Sequence, residues 1–278
     1  MIFGRGLVST SEDFGMQGKP PTHPELLDWL ARDLISSGWN LHHLLKKMVL
    51  SHTYRQESKI IPLAQEKDPE NLLLSRSSAY RLPAEMIRDG LLSHSQLLHK
   101  KIGGPSSKPY DLNVSFKPIH PDGAPNVYRR SLYTFWKRTG PTPVMMALDA
   151  SKRDVCTVRR ERTDSPSQSL ILLNGTQFVE AARALADQLI AKHGENNPMG
   201  LINDAFRQLT SRYPSEEEAV ILLNLLREQK EYFTDSKEAD KFLLVGYYKA
   251  KSNNPSNLAA VTSMISTLMN FDGTLSKR

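Results

Sequence analysis

THPELLDWLARDLISSGWNLHHLLKKMVLSH, residues 22–52, is the stretch from which the fold class follows. Leu26, Leu27, Leu30 and Leu34 recur at helical intervals behind Thr22 and Glu25, which stand in capping-box spacing, so a helix over 22–37 is predicted. Gly38 closes it. Asn40 caps a second helix over 40–52 with Leu41, Leu44, Leu45 and Met48 on one face, and the two read as a helical hairpin. The same periodicity carries through most of the chain. Leu82–Lys100 has Pro83 in its first turn and Gly103-Gly104 beyond its end. Further helices are predicted at about 176–193, 198–211, 215–233, 236–250 and 256–270, with Ser215 and Glu218 as a second capping box.

Three stretches break the pattern. Residues 59–71 are polar, hold two prolines and read as a connector; 105–125 hold five prolines and no helical period, a long irregular surface loop. YRRSLYTFWKRT, 128–139, is aromatic-rich and partly alternating, and is the best strand candidate. The expected fold is mainly α: a multi-helix globular domain with a small β element and a long Pro-rich loop. A chain of 278 residues allows one unit over 1–278 or two packed subdomains, about 1–127 and 128–278.

Composition narrows the function classes. No run approaches 18 consecutive apolar residues, so no transmembrane segment is expected, and MIFGRGLVST lacks the apolar stretch of a signal peptide. The eight histidines show no ligand spacing, and no metal site is expected. One cysteine, Cys156, excludes an internal disulfide and the C-x-x-C-H attachment of haem c, so any haem belongs to another domain or chain. Between Tyr128 and Arg162 lie nine cations against three anions, which accounts for the whole formal net charge of +6. Seven of the nine are arginine, the side chain suited to planar, bidentate pairing with carboxylate, phosphate or sulfate. Tyr128, Tyr133, Phe135 and Trp136 could stack bases, but their alternation suits a core and the neutral remainder denies a broad basic surface; no nucleic acid is expected.

The charge concentrates on DVCTVRRERTDSPSQSLILLNG, 154–175. Ser165, Pro166 and Gln168 start a helix there, and its amide groups lie just after Arg159, Arg160 and Arg162, so both features favour an anion nearby. With Arg129 and Arg130 these are the candidates for anion or partner binding. In an extended segment neighbours alternate sides, so at least one of Arg159, Arg160 and Arg162 is expected to turn inward and pair. RLPAEMIRD supplies the carboxylates: Arg81, Glu85, Arg88 and Asp89 fall on one helical side as an ion-pair network. Were the protein an enzyme, Glu85 and Asp89 would be its acid and base, with arginines as clamps. No nucleophile motif is present, and catalytic residues stay unassigned.

FGRGLVSTSEDFGMQGKPPTHPELLDWLA, GWNLHHLLKKMVLSHTYRQES, DPENLLLSR, RLPAEMIRDGLL, GGP, YRRSLYTFWKRT and VCTVRRERTDSPSQSLILLNG together resemble the planctomycete-type domain of unknown function 1553 over nearly the whole chain. The resemblance implies a C-terminal module of large exported proteins, extracytoplasmic, following a cytochrome c-like domain that carries haem c and a second domain of unknown function. On that view Met1 is an internal start or fragment boundary, and the partners are the preceding domains, a separate protein or an anionic polysaccharide. The chain departs from the family where TPLQAL.LLND becomes SPSQSLILLNG, with Ser167, Ser169 and Gly175, and where Gly273 stands at a commonly acidic position. The function expected is therefore a module of unknown activity from an exported haem-containing protein; the alternative is an enzyme acting on an anionic or carbohydrate polymer.

Overall fold

The computed structural model describes residues 2–112, 118–138 and 140–277, and the fold is mainly α, with twelve helices and one two-stranded sheet among the described residues. The backbone divides into two compact units: Met1–Arg81 with Thr157–Arg159 and Ser276–Arg278, and Leu82–Cys156 with Arg160–Leu275.

The first unit holds the predicted hairpin, α1 (Pro24–Ser36) and α2 (Leu41–Leu50), packed on each other. Gly38 and Trp39 take left-handed backbone, φ 68° and 62°, and Asn40 accepts the His43 amide at 3.1 Å. The first capping box does not form: Thr22 donates its hydroxyl to the Leu7 carbonyl, and the helix starts after His23 with Pro24 in its first turn. Asp33 ties the helices together through Lys47 and through His43 at 3.5 Å, and the Lys47 ammonium holds its carboxyl below the usual range. Leu30, Leu34, Leu44 and Met48 are half-buried, whereas Leu26, Leu27, Leu41 and Leu45 remain exposed. The connector contains a short helix, α3 (Pro62–Lys67), seeded by its proline. The β element is β1 (Tyr80–Arg81) paired antiparallel with β2 (Ser276–Lys277).

The second unit begins at α4 (Ala84–His94) and continues through α5 (Pro143–Ala147), α6 (Pro166–Asn174), α7 (Thr176–His193), α8 (Pro198–Thr210), α9 (Glu216–Tyr232), α10 (Ser236–Leu243), α11 (Pro255–Met269) and α12 (Asp272–Leu275). Helices α7 and α11 form its centre: α11 packs on α7, α9 and α10, and α7 also meets α4, α6 and α8. Both are enclosed nearly all round. Ala181, Ala182, Leu185, Ala259, Met264 and Ile265 are wholly inaccessible, as a helix enclosed on every side requires.

Several predicted bounds shift for local reasons. α4 stops six residues short of Lys100 because Gln96 turns left-handed, φ 58°, and the Leu97 and Leu98 amides both close on the Leu92 carbonyl. The strand expected at 128–139 is not formed: Asn126–Tyr128 and Ser131–Tyr133 are 3-10 turns, and Arg129, Thr134 and Lys137 make only isolated bridges. Thr139 lies outside the described residues, as do 113–117 of the Pro-rich loop. Ser165 caps α6 without a side-chain bond: the Gln168 amide donates to the Ser165 carbonyl at 3.0 Å, and the Gln168 side chain turns to Asp149 and Thr163.

The second capping box does form, with Ser215 and Glu218 exchanging bonds of 2.8 and 3.2 Å, and Arg212 grips the same carboxylate at 2.6 and 2.7 Å. Arg212 is the main reason that the Glu218 carboxyl falls from 4.5 to about 2. A carboxylate depressed on folding stabilises the protein fully above its unfolded value and loses that contribution as pH falls through its folded value. The wild type should therefore lose stability between about pH 4.5 and 2, and Glu218→Gln should flatten that part of the profile. Denaturant midpoints across this range check the sign, since an unchanged acid slope in the variant would deny the contribution.

Candidate functional site

The arginines predicted as one cluster separate into buried and exposed groups. On α4, Arg88 is 2 % exposed, and its guanidinium clasps the 127–131 segment. Its Nη1 donates to the Arg129 carbonyl at 2.9 Å and the Ser131 hydroxyl at 3.1 Å, its Nη2 to the Val127 carbonyl at 2.8 Å, and its Nε to the Gln177 side chain at 2.9 Å. Asp89 completes the clasp, lying 3.2 Å from Arg88 and accepting the Ser131 amide at 2.8 Å and hydroxyl at 2.7 Å. Burial lowers the Arg88 guanidinium to about 10, against the opposing pull of Asp89. These bonds explain why the segment winds into 3-10 turns: its polar groups find partners on α4, where a strand would have sent them to a neighbour.

Arg129 is buried as well. It donates to the carbonyls of Pro105 and Gly103 at 2.6 and 2.5 Å and stacks on the Tyr133 ring at 4.0 Å, while the Tyr133 hydroxyl accepts the Gly103 amide at 2.9 Å. Gly103-Gly104 therefore shapes a turn around an arginine and does not end a helix. The neighbouring Arg130 is exposed.

Arg159, Arg160 and Arg162 are all exposed, so none turns inward as expected. The segment has no regular structure, and without a pleat the alternation argument lapses. Arg160 meets Glu85 at 2.8 Å, but at 45 % and 22 % side-chain exposure this is a surface pair. Arg159 belongs to the first unit, as does Arg81, which lies on β1 because the helix starts only after Pro83. The anion beside the Ser165-Pro166 start is Asp149, which accepts the Thr163 amide at 2.7 Å, the Thr163 hydroxyl at 2.8 Å and Gln168 at 3.1 Å. It closes the base of a loop on which Lys152, Arg153, Arg160 and Arg162 are exposed. Arg153 lies over the Trp136 ring at 4.8 Å. Cys156 is exposed and single, so the residues present do not fit covalent haem attachment.

Sequence reasoning missed a second buried network, on α7. One Glu180 oxygen accepts the Tyr128 hydroxyl and the Tyr248 amide, each at 2.6 Å, together with the Tyr247 amide. Arg183 donates to the carbonyls of Leu243, Val245 and Tyr248, and Asp187 accepts the Tyr248 hydroxyl and the amides of Lys251 and Ser252. Burial and the Glu180 bond push the Tyr128 hydroxyl well above its ordinary range. The signal was present: three charges at helical spacing on one side of an otherwise apolar, alanine-rich helix.

The sequence model of the family described as "Protein of unknown function (DUF1553)" matches residues 1–226. No match to a curated protein or to a solved structure was found.

Proposed function

Because the chain belongs to the DUF1553 family, we propose that it is a noncatalytic binding module, working outside the cytoplasm beside a haem c domain and engaging an anionic partner surface or polysaccharide through Lys152, Arg153, Arg160 and Arg162 of the second unit. The observation that carries the reading is the division of labour among the arginines. Arg88 and Arg129 are enclosed and bonded to backbone carbonyls, whereas Lys152, Arg153, Arg160 and Arg162 are exposed on an irregular loop whose base Asp149 fastens. Exposed guanidinium groups on a tethered loop can meet carboxylate or sulfate in the bidentate geometry that favours arginine over lysine. The enzyme alternative has less support: the Asp89 oxygens hold Ser131 and Arg88, so Glu85 and Asp89 do not offer two available carboxylates.

Dextran sulfate and polygalacturonate are the probes. Both should bind at 50 mM salt and weaken several-fold at 200 mM, because the distance over which exposed charges act, about 10 Å at 0.1 M, shortens as salt rises. The triple variant Arg153→Ser, Arg160→Ser, Arg162→Ser should lose at least tenfold in affinity at low salt with little change in thermal midpoint. Absence of binding at low salt, or equal binding by the triple variant, would overturn the proposal.

A further inference from the structure

The first unit lacks an apolar interior of its own. Among its described residues only Asp68, Asn71 and Ser77 are buried, all of them polar, and neither α1 nor α2 contains a buried residue. Most of the stability of a helix in a protein comes from covering its apolar face, so a leucine-rich hairpin with no enclosed residue leaves that contribution unrealised.

The apolar residues follow the pattern of a larger bundle. Leu27, Leu30 and Leu34 on α1, and Leu41, Leu45 and Met48 on α2, alternate steps of three and four, the spacing by which helices pack in a four-helix bundle. In a hairpin each helix has one neighbouring helix, and in a bundle it has two. Leu30, Leu34 and Met48 are half-buried, whereas Leu27, Leu41, Leu45 and, beside them, Leu26 and Val49 stay 39 % to 61 % exposed.

Two properties of this face fit a second copy of the chain. One is area. At these exposures the leucines, Met48 and Val49 present roughly 500 Å² of apolar surface, and homodimer interfaces are about 65 % apolar, so the whole face comes to about 800 Å², one partner's share of a stable interface. The other is sign. Helix α1 carries Glu25, Asp28 and Asp33 against Arg32, whereas α2 carries Lys46 and Lys47 and no acid. A twofold axis along the helices sets α1 of each copy over α2 of the other, which brings opposite charge together twice and keeps neighbouring helices antiparallel.

We infer that this face is a homodimer interface, across which the hairpins of two copies close into a four-helix bundle. The inference does not depend on the anion-binding reading, since it uses none of the cations of the second unit.

Sedimentation equilibrium of the full chain tests it. At micromolar concentration the wild type should show twice the mass of one chain. Leu41→Glu with Leu45→Glu places carboxylates in the seam and should weaken dimerisation at least a hundredfold. Both side chains are exposed in the single copy, so the far-ultraviolet dichroism should be retained. Leu41→Gln with Leu45→Gln, which adds no charge, should still weaken the dimer at least tenfold, and it keeps the test valid if the acids unfold the hairpin. Val220→Glu with Ile221→Glu, equally exposed on α9, should leave the dimer as strong as in the wild type. A monomeric wild type would overturn the inference and leave the face to a different protein. A dimer that survives both leucine variants, or that the α9 variant breaks, would overturn it by placing the interface elsewhere.

Discussion

Arg88→Met is expected to lower the unfolding free energy by about 3–5 kcal/mol, the range for removing one partner of a buried charged network. Methionine keeps most of the volume, so packing is nearly held constant and the loss reports the bonds. It strands the Arg129 carbonyl and the Gln177 side-chain oxygen in a site with almost no access to water, takes one donor each from the Val127 carbonyl and the Ser131 hydroxyl, and deprives Asp89 of its cation. Each unsatisfied buried acceptor costs about 1–3 kcal/mol before relaxation, which places the total well above a surface change. Arg88→Lys should recover only part of the loss, since one ammonium cannot reach acceptors spread around a planar fork. The comparison is Glu85→Ala, whose pair with Arg160 is half-exposed and should cost no more than about 1 kcal/mol. Urea midpoints for the three variants decide the matter: an Arg88→Met loss no larger than that of Glu85→Ala would deny the clasp its role.

That contrast also marks where the sequence was readable and where it was not. The long helices were legible because their signals are local: Asn40 accepting the His43 amide, Ser215 and Glu218 exchanging bonds, and the apolar periods of α7 and α11. The 128–139 stretch was misread for a nonlocal reason. Its alternation suits a strand, yet Arg88 and Asp89, some forty residues earlier, take the carbonyls, amide and hydroxyl that a ladder would need. The predicted end of α10 near residue 250 failed in the same way, because Leu244 to Tyr248 leave the helix to meet Glu180 and Arg183. The basic segment was identified from its composition alone, but which of its arginines are enclosed depends on partners far away in sequence.

The strongest consequence of the α7 network falls on a glycine. Gly246 has a φ of 70°, in the left-handed region, and a methyl group built there would lie inside van der Waals contact of the Glu180 carboxyl carbon and both oxygens. Gly246→Ala therefore carries two costs. The backbone cost of placing an L-residue in this region is about 1–2 kcal/mol. The second is displacement of the Glu180 carboxylate from the Tyr128 hydroxyl and the Tyr247 and Tyr248 amides, which leaves a buried charge poorly bonded. Together they should remove about 4–6 kcal/mol, enough to unfold a domain of ordinary stability or bring it close to the midpoint. A double-mutant cycle separates the parts. In a Glu180→Ala background the carboxylate is gone and the methyl group has room, so Gly246→Ala should there cost only the backbone share of about 1–2 kcal/mol. The two changes must then be far from additive, with a coupling of about 2 kcal/mol or more. Urea unfolding of wild type, both single variants and the double variant measures it, with ligand-free protein at one pH. Additive losses would mean that Glu180 does not press on Gly246, and the account of why the chain leaves helix α10 at Leu244 would fail with it.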